Sequence, residues 1–157
     1  MRILGIDPGT AITGFGLIDY QGNSSSLVVA GVIRTPAKQA LELRLETIFD
    51  ELQQLIAEYQ PQHVAIEQLF FAQNVTTAMA VSHARGVAML AAIKAGIEVV
   101  EYTPLQVKQA ITGYGRAEKQ QIQEMVRILL NLKEVPKPDD AADALAIAIC
   151  HSATLSS

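Results

Sequence analysis

The sequence predicts an α/β fold in which a mixed five-stranded sheet, its first three strands antiparallel, is flanked by helices. Three apolar segments of strand length come first, and their short connections are typical of antiparallel neighbours. Beyond residue 41, helical spacing of apolar residues alternates with two further short strands, as in parallel crossover connections. A length of 157 residues indicates one domain, residues 1–157.

The antiparallel strands are predicted at residues 2–6, 14–20 and 27–34. The first strand ends at Asp7-Pro8-Gly9, and a turn at residues 21–24 joins the other two. Each of these strands should therefore lie beside the next one along the chain.

Apolar residues spaced by three and four predict the first helix at residues 41–59, with acidic residues on its outer face. The later elements are strands at 63–67 and 97–102, and helices at 75–95, 105–111, 117–132 and 139–150. The helix at 75–95 is apolar on more than one side, so we expect it to bury two faces.

Composition and charge restrict the class of protein. Half of the residues are hydrophobic and 18% are charged, which excludes a disordered chain. A formal net charge of −4 by itself argues against a polyanionic partner. Residues 101–137, however, hold six basic and four acidic side chains. One cysteine, Cys150, and no recognisable signal peptide or membrane span lead us to expect a cytoplasmic protein with no membrane partner.

Four acidic residues differ from solvated surface charges. Asp7 and Glu67 each stand at the C-terminal end of a strand that should be buried. Asp140 and Asp143 lie one helical turn apart among small and apolar neighbours, although on spacing alone Asp139 competes with Asp140. Each acid alone is commonly a turn or cap residue, but together they can converge at one edge of the sheet.

Converging carboxylates predict a divalent metal site. Four negative charges held together repel unless cations neutralise them, and two divalent ions balance them. Oxygen ligands suit Mg²⁺ or Mn²⁺, whereas scattered His63, His83 and His151 and the lone cysteine disfavour zinc. Two such ions can clamp the attacking and leaving oxygens of an in-line displacement, which predicts phosphodiester hydrolysis.

Gly14 and Gly16 lie two residues apart and so share one face of the second strand. Glycine there lets another backbone approach closely or lets a helix pack tightly on the sheet. The sequence leaves both alternatives open.

Seven short motifs occur in order along almost the whole chain. They are Gly5-Ile6-Asp7-Pro8-Gly9-Thr10, Thr13-Gly14-Phe15-Gly16, Ala65-Ile66-Glu67-Gln68, Ala84-Arg85-Gly86-Val87, Gln106-Val107-Lys108-Gln109, Ala117-Glu118-Lys119-Gln120 and Asp140-Ala141-Ala142-Asp143-Ala144-Leu145-Ala146. Together they resemble the RuvC family of bacterial Holliday junction endonucleases. The first motif alone would also fit the phosphate loop of actin-type ATPases.

The resemblance implies a ribonuclease H-like fold and a catalytic, metal-binding set of Asp7, Glu67, Asp140 and Asp143, with two Mg²⁺ ions or Mn²⁺ as a substitute. It also implies that Asp139 is a helix cap rather than a ligand.

Lys108, Lys119 and Phe70 match family positions near DNA, and Arg116 joins them as a DNA-binding candidate. For Phe71 we prefer an anchoring role in the core.

The implied activity is the resolution of Holliday junctions by paired, symmetric nicks in recombination and DNA repair. The implied partners are four-way junction DNA, a second copy of the chain, and the RuvA and RuvB branch-migration proteins. A homodimer also agrees with the second apolar face of the helix at 75–95, because a two-fold interface needs such a face.

Three other functions compete with this one. A ribonuclease H-like nuclease for another branched or structured nucleic acid is the main alternative. An actin-type ATPase requires two lobes, which the length excludes. A junction-binding module without catalysis would gain nothing from four acids that repel phosphates.

Overall fold

The expected sheet is present in the computed structural model, which describes residues 1–68 and 75–155. Its strands are β1 (Arg2–Asp7), β2 (Ile12–Gln21), β3 (Ser24–Arg34), β4 (His63–Glu67) and β5 (Val99–Tyr102), in the spatial order β3-β2-β1-β4-β5. The pairs β3–β2 and β2–β1 are antiparallel, and β1–β4 and β4–β5 are parallel. The predicted mixed five-stranded sheet with three antiparallel strands is confirmed.

Helices cover both faces of this sheet. They are α1 (Leu41–Tyr59), α2 (Val75–Lys94), α3 (Pro104–Thr112), α4 (Lys119–Leu129) and α5 (Asp139–Leu155). Two hydrophobic cores result, one beneath α1 and α2 and the other among α3, α4, α5 and the opposite sheet face. Across the described ranges, the helices are too short or too polar to span a membrane.

The central strand β1 is buried on both faces, and its residues alternate between the two cores. Ile3 belongs to the α5 side, whereas Leu4 and Ile6 belong to the α1 and α2 side, and all three are fully buried. Alternation along a strand places Asp7 on the same side as Ile3. The last residue of β1 therefore points its carboxylate toward the α5 side of the sheet.

Glycines allow α5 to lie almost directly on the strands. Gly14 pairs with Asp7, and a Cβ atom on Gly14 would overlap the carbonyl oxygen of Asp140. Gly5 pairs with Gly16, and a Cβ on Gly5 would overlap the carbonyl oxygen of Ala144. Of the two alternatives for the glycine face, the structure thus shows helix packing. This close approach brings the first turn of α5 to the end of β1.

Several element boundaries differ from the prediction, among them those of β5 (Val99–Tyr102 rather than 97–102) and α4 (Lys119–Leu129 rather than 117–132). The β2–β3 hairpin is longer, because both strands continue to a two-residue turn at Gly22 and Asn23 with φ of 57° and 69°. Positive φ at both positions is the geometry that matches the twist of hairpin strands. Helix α5 continues past residue 150 to Leu155, since His151 and Ser152 are buried like the residues before them.

Candidate active site

Two carboxylates stand at the same edge of the sheet because β1 and β4 are parallel neighbours. Asp7 ends β1 and Glu67 ends β4, and the residues just before them, Ile6 and Ile66, are paired in register. The carboxyl ends of adjacent parallel strands form the usual position for a site in an α/β sheet. The fold thus brings together two residues that are 60 positions apart in the sequence.

The first turn of α5 supplies two more carboxylates to this edge. Carboxylate oxygens of Asp7, Asp140 and Asp143 all lie within 4.8 Å of one another, and each residue is half-buried. Glu67 lies close enough that its charge raises the pKa of Asp7. The four predicted acids are therefore brought together, three of them in contact range of a single ion.

The electrostatics of the cluster are unfavourable without a cation. Burial, followed by the charges of Asp143, Glu67 and Asp140, raises the pKa of Asp7 to about 8, against an opposing effect of Lys119. Burial also raises the pKa of Asp143 and of Glu67. Carboxyl groups with raised pKa values in one cluster are typical of functional sites.

Lys119, the first residue of α4, is the cation nearest to Asp143. Its Nζ lies 3.8 Å from Asp143 Oδ2 and 3.4 Å from Asp139 Oδ2. The charge of Asp143 raises the pKa of Lys119, which therefore stays protonated at neutral pH. Asp139 is the first residue of α5 rather than the residue before it, and its carboxylate pairs with Lys119. The helix-cap role implied for Asp139 is replaced by this ion pair.

A cleft of about 440 Å³ adjoins the carboxylates between α3, α4 and α5. Lys108 of α3 reaches it opposite Glu67 and opposes the rise in that residue's pKa. Helix α3 begins with a capping box, in which Thr103 Oγ1 accepts a hydrogen bond from the Gln106 amide (3.1 Å) while Gln106 Oε1 accepts one from the Thr103 amide (2.8 Å). The residues that line the cleft are Glu67, Pro104, Val107, Lys108, Ala117, Glu118, Lys119, Ile122, Asp143, Ala146 and Ile147.

Comparison with known proteins identifies the family. A family model described as "Crossover junction endodeoxyribonuclease RuvC" matches residues 3–151. The chain belongs to the RuvC family. A RuvC with the same description from Heliobacterium modesticaldum is 63% identical over 98% of this chain and 96% of its own length. One from Alkaliphilus metalliredigens is 60% identical over 97% and 93%.

Solved RuvC structures agree with the fold in detail. RuvC of Thermus thermophilus superposes with a TM-score of 0.93 at 36% identity, covering 99% of this chain and 96% of that one. The same RuvC in complex with a Holliday junction substrate gives a TM-score of 0.94, at 36% identity, over 99% and 94%. The ribonuclease H-like fold expected from the RuvC resemblance is confirmed.

The other predicted DNA-binding residues lie outside the cleft or outside the described residues. Arg116 is exposed in the connection between α3 and α4, three residues before Lys119, and is not part of the cleft wall. Phe70 and Phe71 fall outside the described residues. Glu118, which the RuvC-like motif contains but sequence reasoning did not single out, lines the cleft beside Lys119.

Sequence reasoning missed a second polar cluster, at the other end of α5. His151 Nε2 lies 2.6 Å from His63 Nδ1, and His151 Nδ1 lies 2.5 Å from the Tyr102 hydroxyl. Two of the histidines described as scattered are thus in contact. The sequence did indicate that His151 is buried, because it follows Ala144 and Ala148 at helical spacing on the same face of α5.

Proposed function

We propose that this protein resolves Holliday junctions by paired, symmetric, divalent-metal-dependent nicks, in recombination and DNA repair. The observation that supports this most is the carboxylate cluster of Asp7, Asp140 and Asp143 beside Glu67, on a fold that matches RuvC bound to a Holliday junction substrate. The reaction is attack of water on a phosphodiester bond of the DNA strand.

The donor set suits Mg²⁺. Its members are all carboxylates, oxygens of Asp7, Asp140 and Asp143 come within 4.8 Å of one another, and the repulsion among the acids favours a bound cation. We assign Asp7, Glu67, Asp140 and Asp143 as its ligands, with two ions per subunit and Mn²⁺ as the expected substitute. When bound, the ions lower the pKa of the attacking water and stabilise the charge on the leaving oxygen.

Basic side chains around the carboxylates hold the DNA. Lys108 and Lys119 line the cleft at its two walls, so that a phosphate placed between them meets two ammonium groups. Arg116 extends the positive edge along the connection between α3 and α4. We also assign Phe70 to the DNA surface, by its position in the RuvC-like sequence pattern.

Two copies of the chain act on one junction, whose two-fold symmetry matches that of a dimer. Helix α2 supports this assembly, because one side of it packs on the sheet through buried alanines while the opposite side exposes large apolar residues. The exposed residues are Val75, Met79, Leu90 and Ile93. Surfaces of this kind are typical of protein interfaces. Residues 1–157 act as one nuclease domain in each copy.

The remaining assignments follow from the family. RuvA and RuvB, the branch-migration proteins, are the expected partners at the junction. The reaction takes place in the cytoplasm, where a bacterial chromosome is recombined.

The test is cleavage of a synthetic four-way junction that cannot branch-migrate, with and without Mg²⁺, with both nicks mapped. Asp7→Asn and Asp140→Asn should each lower cleavage at least about 1000-fold, because a carboxamide binds a hard cation poorly. Junction binding should stay within a few-fold of the wild type.

Asp139→Asn is the matched control, since it removes an equal charge one residue away. It should retain most of the activity. Wild-type rates in Asp7→Asn would overturn the metal-site assignment, and faster cutting of flaps or hybrid duplexes than of four-way junctions would favour the alternative nuclease.

A further inference from the structure

Arg44, near the beginning of α1, is the only basic residue of that helix. Residues 34–44 hold three basic side chains and one acidic one, whereas residues 45–59 hold four acidic side chains and no basic one. The helix is therefore positive where it begins and negative along the rest of its length. A polyanion beside α1 is attracted to its beginning and repelled from the remainder.

The beginning of α1 follows from the same edge of the sheet as the proposed metal ligands. Strands β1 and β3 run in the same direction, because each is antiparallel to β2. Gly14 of β2 pairs with Asp7 on one side and with Val32 on the other. At ordinary strand spacing, the end of β3 is therefore about 10 Å from the end of β1. Strand β3 ends at Arg34, so the connection to α1 starts at the edge where Asp7 stands.

A buried threonine fixes the Arg44 side chain at this edge. Arg44 Nε donates a hydrogen bond to Thr35 Oγ1 (2.9 Å), and Thr35 Oγ1 donates one to the Thr10 carbonyl (2.6 Å). Thr35 is buried, and its amide also donates to the Ala11 carbonyl (3.1 Å). Thr10 and Ala11 belong to the loop that follows Asp7. One buried hydroxyl thus ties the guanidinium to the loop beside the proposed metal site.

The other two nitrogens of this guanidinium have no protein partner within residues 1–68 and 75–155. The ion pairs found there use other cations. Glu42 and Glu46 lie two positions from Arg44, on other faces of the helix. Nη1 and Nη2 are not buried, since Arg85 Nε is the buried side-chain nitrogen left unpaired in the same ranges. Arg44 therefore presents two fixed donors to solvent, an arrangement that matches the oxygens of a phosphate.

We propose that Arg44 binds a backbone phosphate of the junction other than the scissile one, with Thr35 holding its guanidinium in position. The proposal rests on the proposed function, because the ligand is the DNA bound at the carboxylates. Helix α1 covers the sheet face opposite α5, whereas the carboxylates face α5, so the contact is with a different phosphate.

The position of Arg44 complements that of the basic cleft. Lys108 and Lys119 line a cleft formed by Glu67 and by α3, α4 and α5, on the side of the carboxylates toward β4 and β5. Arg44 lies on the other side, toward β2 and β3. DNA placed across this edge of the sheet is then held by cations on both sides of the carboxylates. Contacts of this kind fix the register of the DNA without reading its bases.

The experiment measures binding of an immobile four-way junction by fluorescence anisotropy, without divalent metal so that no strand is cut. Sodium chloride is varied from about 50 to about 200 mM. Arg44→Gln should weaken binding about fivefold near the middle of this range. It should also reduce the slope of log affinity against log salt by about 0.9 for each bound copy of the chain, because one phosphate contact is lost. Arg44→Lys, which keeps the charge, should keep the slope.

Two further measurements separate a DNA contact from a purely structural role. Thr35→Val keeps Arg44 but removes the hydroxyl that orients it, so binding should weaken about two- to threefold at an unchanged slope. With Mg²⁺, Arg44→Gln should raise KM about fivefold and keep kcat within about twofold, because Arg44 does not touch the reacting atoms. A structural role would lower Tm and leave the salt slope at the wild-type value.

Lys94→Gln is the matched control, since it removes one exposed positive charge at the end of α2. The chain enters β5 from there, at the opposite edge of the sheet. This variant should keep the wild-type affinity and slope. If Arg44→Gln melts early, Arg44→Met, which keeps the aliphatic stem, takes its place.

A wild-type slope in Arg44→Gln, or an equal fall of the slope in Lys94→Gln, would overturn the inference while junction cleavage stays intact. Failure of the wild type to cut any junction with Mg²⁺ present would instead overturn the proposed function.

Discussion

The two ends of helix α5 contain titratable clusters of opposite character. At its first turn, Asp140 and Asp143 face Asp7 at close range, and burial together with mutual repulsion raises the pKa of Asp7 to about 8. Near its last turn, His151 lies between His63 and Tyr102, and hydrogen bonds at both ring nitrogens satisfy it. One end holds repelling carboxylates whose charge a bound cation would offset, whereas the ring nitrogens of His151 at the other end are both paired.

The two ends should also have opposite effects on stability as the pH changes. In the folded state Asp7 keeps its proton up to about pH 8, whereas an unfolded chain releases it near pH 4, so stability is lost as the pH rises between these values. Burial and the neighbouring His63 lower the pKa of His151, against an opposing effect of Glu98. Stability at that end is therefore lost as the pH falls below about 6.5.

The largest expected loss of stability comes from separating the acidic end of α5 from the sheet. Gly14→Ala places a methyl group where the Asp140 carbonyl oxygen lies, so the helix must move. We expect a loss of about 3 kcal/mol in the free energy of unfolding and about 100-fold in cleavage. Denaturant unfolding and junction cleavage measure the two losses.

Gly31→Ala is the control within the same sheet, because the added methyl group meets only the end of the Phe15 ring (2.9 Å), which can shift. It should cost far less stability and leave cleavage unchanged. Equal losses in both variants would mean that the close approach of α5 has no special role at the site.

Removing the His151 side chain should lower the free energy of unfolding without lowering the rate of cleavage. His151→Ala removes two hydrogen bonds and leaves a cavity beside the Tyr102 hydroxyl, at a cost of about 2 kcal/mol. Cleavage by the folded fraction, measured well below Tm, should stay within about twofold of the wild type. A much larger loss of activity would show that the two ends are coupled through the helix.

Removing one charge from the acidic end should stabilise the protein while it inactivates it. In EDTA at pH 8, Asp7→Asn should raise the free energy of unfolding by about 1 kcal/mol, because one repelling carboxylate is lost. At pH 4 the wild-type carboxyl is protonated and the gain should vanish. Thermal unfolding at both pH values tests the sign, and a variant less stable than the wild type at pH 8 would contradict it.

The smallest effect is expected from removing the tyrosine hydroxyl of the histidine cluster. Tyr102→Phe removes only the hydroxyl, which contacts His151 Nδ1 and, at 3.4 Å, Thr154 Oγ1, and should cost about 0.5–1 kcal/mol. It should also change the pH at which stability falls on the acid side, since the second ring nitrogen loses its partner. Unfolding curves from pH 5 to 8 measure both, and curves that coincide with the wild type would assign the hydroxyl no role.

Sequence patterns were sufficient for the order and type of the elements but not for their ends. Apolar residues recur every two positions in a half-buried strand and every three or four in a half-buried helix. The ends of buried elements such as β1 and α1 were therefore predicted to within about one residue. The start of β3 was missed because Ser24, Ser25 and Ser26 are polar and outwardly placed on an edge strand, where no apolar signal exists. Backbone pairing alone defines that part of the hairpin.

The acidic site could be anticipated because its residues interrupt apolar patterns. Asp7, Glu67 and Asp143 each end or break a run that should be buried, and such exceptions can be recognised one at a time. The histidine cluster could not be found in this way, since His63 and His151 are 88 positions apart and meet only through the docking of α5.

The close packing of α5 on the glycines of β1 and β2 also means that the proposed metal site is assembled late in synthesis. During synthesis, the strands that carry Asp7 and Glu67 leave the ribosome before Asp140 and Asp143 do. A nascent chain without α5 holds only Asp7 and Glu67 of the four acids, at the edge of a sheet that lacks this helix on one face. The proposed metal site is therefore incomplete until the last helix has been made and has docked on the sheet.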